Sequence, residues 1–124
     1  MPPRIPLLSP DSEFNSEQRR VLEGLLGRRG GRIPGPYRFT LHCPAITELM
    51  HPFGEKLRMD SSFPLRISEM AIVSTARAWD CDYVFTSHAA GALKAGVDLA
   101  VIEAMQRGER PVFKQADEEA IHDF

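Results

Sequence analysis

The sequence predicts an all-α domain. Three observations carry that expectation. Apolar residues recur at spacings of three and four along most of the chain. Prolines and glycines fall between those stripes and at their starts. No segment alternates apolar and polar residues as a half-buried strand would. With about six helices and short connections, a helical bundle is the expected architecture. At 124 residues the chain is expected to form one domain, spanning residues 1–124.

The first ten residues, MPPRIPLLSP, hold four prolines. Proline fixes φ and removes a donor, so residues 1–12 read as an extended arm. Ile5, Leu7 and Leu8 could dock on a core or on a neighbouring subunit. The first helix should begin near Asn15, where NSEQ reads as a capping box with Gln18 three residues on. Val21, Leu22, Leu25 and Leu26 form its stripe, and Gly27 is a plausible stop. The basic run GRRGGR, Gly27 to Arg32, follows a helix rather than a strand, and reads as a solvated loop.

Pro36 and Pro44 suit the first turns of helices. Ile46, Leu49, Met50, Phe53 and Leu57 continue in helical phase on both sides of Pro52, which should kink the helix. The strongest helix lies in SSFPLRISEMAIVSTARAW, with Ser62 as candidate cap and Pro64 in the first turn. The next begins at Asp80 or Cys81, runs to Ala95 and stops at Gly96. Another covers Val97 to Arg107 and ends at Gly108. The last begins in QADEEAIHDF, with acids in its first turn as the helix dipole favours. The chain stops within that stripe, so the final helix reads as cut short.

Composition bounds the function. A formal charge of −2 argues against a dedicated nucleic-acid binder. No apolar run reaches the roughly 20 residues that span a bilayer, and no secretory leader is evident. With only Cys43 and Cys81, a reduced, cytoplasmic protein is expected. No metal-binding spacing, phosphate loop or dinucleotide fingerprint occurs, so neither a metal nor a cofactor is expected. His42 and His51 lie near prolines and carry no such pattern.

The stretch CDYVFTSH, Cys81 to His88, carries the chemistry. Cys81 opens a helix, where unpaired N–H groups and the dipole stabilise a thiolate. His88 lies within about 20° of the same face, but about 11 Å along the axis. The two therefore do not touch directly on a straight helix. Cysteine is also among the residues most often buried as small hydrophobes, and that reading stays open. Glu69 borders an apolar stripe in the preceding helix, a costly place for a carboxylate unless it is paired or exposed. A hairpin turning at AWDCD brings Glu69 towards the following helix, and a carboxylate facing a histidine is material for acid–base chemistry.

The segment Leu65 to Val97, LRISEMAIVSTARAWDCDYVFTSHAAGALKAGV, resembles the core motif of the carboxymuconolactone decarboxylase and alkylhydroperoxidase D superfamily. Glu69 matches that motif's glutamate, Cys81 its first cysteine and His88 its histidine. RAW at Arg77 to Trp79, HAAGALKAGV, and the earlier PGPYRFTLHCPAITELM also resemble the family. The likeness extends over most of the chain, from about Pro3 onward. It implies a helical bundle of the alkylhydroperoxidase D-like type, assembled as trimers or hexamers.

The chain departs from the motif at Val84, where the family's second cysteine would stand. In hydroperoxidase-type members that cysteine is the one thought to attack peroxide. Valine is no nucleophile and forms no disulfide, so the dithiol cycle is not open to this chain. In decarboxylase-type members the resemblance implies loss of carbon dioxide from a carboxylated lactone in aromatic-acid breakdown. His88 is then the expected proton donor and Glu69 its partner. Arg77 is a candidate for the substrate carboxylate, with Tyr83 and Val84 also placed at the substrate. Two alternatives stand beside this expectation: peroxidase activity through the single thiol of Cys81, and a non-catalytic helical oligomer or fragment.

Overall fold

A computed structural model describes residues 4–26 and 33–124. The first three residues of the proline arm, the Gly27 stop and the GRRGGR run lie outside the described residues, as does the side chain of Leu26. Among the described residues there are seven helices and no strand. No helix there is long and apolar enough to cross a membrane. The chain divides into two compact units, Met1–Lys56 and Leu57–Phe124.

In the first unit the arm is pinned by main-chain contacts. Leu8 is buried, its N–H donates to the carbonyl of Arg38 at 3.1 Å, and its own carbonyl accepts from Arg38 Nε at 2.9 Å. Ile5 and Leu7 stay exposed. Helix α1, Ser16–Leu26, begins at the expected capping box. Gln18 N–H donates to Asn15 Oδ1 at 2.8 Å, and Asn15 N–H donates to Gln18 Oε1 at 3.0 Å. Its buried face, Val21, Leu22 and Leu25, packs with Leu8, Ile33, Tyr37 and Leu41. Pro36 caps the one-turn helix α2, Tyr37–Thr40.

Helix α3, Pro44–Met59, starts on its proline and runs through Pro52 without a break. The missing N–H at Pro52 costs one helical bond, which the rest of the ladder outlasts. The stripe Ile46, Leu49, Met50, Phe53 and Leu57 is exposed throughout, Leu49 by 71%. Its helical spacing is real, but it is not a core face in this chain.

The second unit holds α4, Leu65–Ala78; α5, Asp82–Lys94; α6, Leu99–Gln106; and α7, Ala116–Asp123. Two expected starts are corrected. Pro64, extended at ψ 148°, occupies the N-cap of α4, and Ser62 lies outside the helix. Proline restricts the residue before it to extended conformations, so the helix cannot begin as early as Ser62. Asp98, rather than Val97, caps α6, its side chain accepting from Ala100 N–H at 3.0 Å. The helix stops fall at Gly96 and Gly108, both with positive φ.

Helices α4 and α5 form the hairpin expected around AWDCD and pack along their length. Asp80 turns the chain at φ 48°, and Cys81 N–H reaches back to the carbonyl of Ala76 at 2.8 Å. This is a Schellman-type closure with aspartate in the position glycine usually takes. Met70, Val73, Ala76, Phe85, Ala92, Val97, Val101, Ile102 and Met105 make the core of this unit. Each large side chain there contributes about 1.5–3 kcal/mol by leaving water. Arg66 on α4 holds α7 by pairing with both Asp117 and the buried Glu118, each at 2.5 Å.

Candidate active site

Glu69 stands four and seven positions before Val73 and Ala76, on the buried face of α4. Its side chain is only 1% exposed. A carboxylate in that position demands partners, and it has them on both oxygens. Oε1 accepts from Arg58 at the end of α3, from Nε at 2.9 Å and Nη2 at 2.8 Å. Oε2 lies 2.9 Å from Nδ1 of His88 on α5. Arginine only donates, and a carboxylate so held only accepts. Nδ1 of His88 therefore carries the hydrogen, and the lone pair of the neutral ring sits on Nε2. The His88 side chain is 25% exposed, so the ring is open to a reactant while its orienting partner is not.

The close approach depends on Gly91, three residues along α5 from His88. A β-carbon there would lie 3.0 Å from Oε2 and 3.2 Å from the carboxyl carbon of Glu69. Glycine in mid-helix costs about 1 kcal/mol of propensity, and here it makes room for the carboxylate.

Cys81 is the N-cap of α5, partly buried, with its thiol making no cap hydrogen bond. Among the described residues no hydrogen bond joins it to His88, as their two-turn separation requires. Cys81 and Val84 instead line a groove of about 450 Å³ with Ala71, Ile72, Thr75, Ala76 and Trp79. Its wall carries no charge, and the Thr75 hydroxyl is spent on the carbonyl of Ala71 at 2.8 Å. Val84 lies one helical turn before His88, while His88 and Glu69 are not among the residues that line the groove.

The other expected substrate residues are placed differently. Arg77 donates to Asp80 at 2.5 Å, has Asp82 at 3.6 Å, and borders a different cleft with Ser74, Arg110 and His122. Its guanidinium is committed to neighbours in its own sequence. Tyr83 is exposed, and its carbonyl accepts from the Ser87 hydroxyl at 2.7 Å. His42 contacts the carbonyl of Pro6 at 2.8 Å, and His51 stands edge-on to Tyr37. Among the described residues no group of three or more His, Cys, Asp or Glu side chains is placed to hold a metal ion.

Arg58 and Gly91 are the two residues that sequence reasoning did not single out. Arg58 carries no motif, since nothing in RMDSSFPLRISE shows that an arginine eleven positions earlier turns onto Glu69. The buried carboxylate was itself the signal that a cation had to be found. Chemically, the three side chains form an oriented imidazole backed by a buried carboxylate and a cation. Compared with family models, curated proteins and solved structures, the chain matches none.

Proposed function

We propose that this chain is a carboxymuconolactone decarboxylase-like protein of the alkylhydroperoxidase D-like type, a non-redox carboxy-lyase acting on a carboxylated lactone. The observation that carries the reading is the 2.9 Å contact between His88 Nδ1 and the buried Glu69 carboxylate. It leaves Nε2 of His88 as the working atom. In the proposed step the bond from ring carbon to carboxylate breaks and carbon dioxide leaves. The electron pair is delocalised towards the lactone carbonyl, and protonated His88 delivers its Nε2 proton to carbon. Glu69 stabilises the imidazolium beforehand, and the ring recovers its proton from solvent. The uncharged groove at Val84 and Cys81 supports this chemistry, because a carboxylate moved out of water loses the solvation that opposes decarboxylation. The step is written without Arg77, which pairs with Asp80 and Asp82 and does not line the groove.

The exposed stripe of α3 supports assembly into the trimers or hexamers that the resemblance implies. A peroxidase reading through Cys81 has one observation in its favour: the thiol lies at a helix N-cap on the groove wall. Val84 removes the neighbouring thiol with which the motif would resolve it. The test is to assay the purified protein against carboxylated lactones, following carbon dioxide release, and against organic hydroperoxides with an external thiol. Carbon dioxide release without hydroperoxide consumption supports the proposal. Hydroperoxide turnover alone replaces it with the thiol reading.

A further inference from the structure

We infer that Arg58 is a positioning residue for His88: by occupying one oxygen of Glu69 it assigns the other to the imidazole and so selects the ring tautomer. The inference rests on the acid–base reading of His88. Two N–H groups of Arg58, Nε and Nη2, converge on Oε1 at 2.9 and 2.8 Å, and neither is placed on Oε2. Oε2 is left to Nδ1 of His88 at 2.9 Å. The carboxylate is 1% exposed, so water does not compete for either oxygen. A β-carbon at Gly91 would lie 3.0 Å from Oε2 and 3.2 Å from the carboxyl carbon, so the backbone of α5 closes over the carboxylate on that side. The guanidinium is a planar donor with no acceptor, so whatever atom faces it must be an acceptor.

In Glu69→Gln the side chain keeps its shape but has one oxygen and one NH₂. Arg58 demands the oxygen, so the NH₂ turns to His88 and donates to Nδ1. The ring hydrogen must then move to Nε2. Arg58 thus predicts a complete inversion of the His88 tautomer from an isosteric change that does not touch the ring.

The experiment is two-bond ¹H–¹⁵N NMR of the full chain labelled at histidine, at a pH where the ring is neutral. The His88 signals are assigned by their loss in His88→Ala. The wild type should show hydrogen on Nδ1, and Glu69→Gln should show it on Nε2. Combining Glu69→Gln with Arg58→Met removes the ordering donor, and mixed tautomers are expected. Arg58→Gln in the same background can either donate or accept, imposes no order on the amide, and should also give a mixture, which keeps the test open if the methionine variant does not fold. Retention of hydrogen on Nδ1 in Glu69→Gln, or complete inversion that persists without Arg58, overturns the inference. Turnover is read in parallel and separates the two claims. Inversion in Glu69→Gln with full activity in His88→Ala sinks the acid–base reading alone. Loss of activity in His88→Ala with no inversion sinks the role of Arg58 alone.

Discussion

Nδ1 of His88 lies 2.9 Å from Oε2 of Glu69, joining the two helices of the α4–α5 hairpin through a carboxylate almost wholly removed from water. On the other oxygen stands Arg58, whose side chain is 36% exposed. This difference in exposure sets which partner is costly to lose.

Arg58→Met should destabilise the protein by about 3 kcal/mol, because it leaves a buried carboxylate short of its cation. Glu69→Met should cost less, about 1 kcal/mol, since Arg58 can turn to water once its partner is gone. Urea unfolding of both variants checks the order. Equal costs would mean that Arg58 does not neutralise Glu69 in the folded protein.

Two glycines in helices should respond oppositely to alanine. A β-carbon at Gly24 on α1 would have nothing within 4 Å of it, so Gly24→Ala should stabilise by about 0.5–1 kcal/mol. Gly91→Ala gains the same helix propensity but sets a methyl group 3.0 Å from Oε2. The carboxylate must shift, so stability should fall by about 1–2 kcal/mol despite the propensity gain. Turnover should drop at least about tenfold, because the partner of His88 has moved. Thermal melts and rate measurements on the pair test this.

Acid should loosen the docking of α7. Arg66 holds the Asp117 carboxyl below its ordinary range through a side-chain hydrogen bond, and Arg110 does the same to Asp123. A carboxyl depressed in the folded state contributes stability above its unfolded pKa of about 3.9. That contribution is lost as pH falls from there through the folded value. Unfolding midpoints should therefore drop below about pH 4, and Arg110→Met should make the drop shallower. A wild-type profile unchanged by Arg110→Met would show that these exposed pairs do not act on stability.

Much of the helical plan was legible because it depends on local rules. The Asn15–Gln18 box and the stops at Gly96 and Gly108 lie within one turn of the residues they satisfy. Ser62 misled because a cap is chosen by backbone geometry, and Pro64 already imposed an extended entry to α4. Glu69 could be brought towards α5 in advance because the hairpin turn lies about midway between it and His88, but the sequence did not say that the two meet within one subunit. Arg58 could not, since its contact crosses the irregular link between α3 and α4 and leaves no period in the sequence. The pairing of Arg77 with Asp80 and Asp82 was not legible because it forms only where α4 ends and the chain turns. The α3 stripe shows a limit of periodicity itself: spacing reports a face, and not what covers it.

Whether His88 or Cys81 performs the chemistry is decided by one comparison. Carbon dioxide release from a carboxylated lactone is measured for wild type, His88→Ala and Cys81→Ser, each checked for folding by circular dichroism. His88→Ala should lower kcat by about 100-fold to 10,000-fold, while Cys81→Ser stays within about threefold of wild type, as expected for a side chain that only lines the groove. An active His88→Ala beside an inactive Cys81→Ser would contradict a His88-centred site.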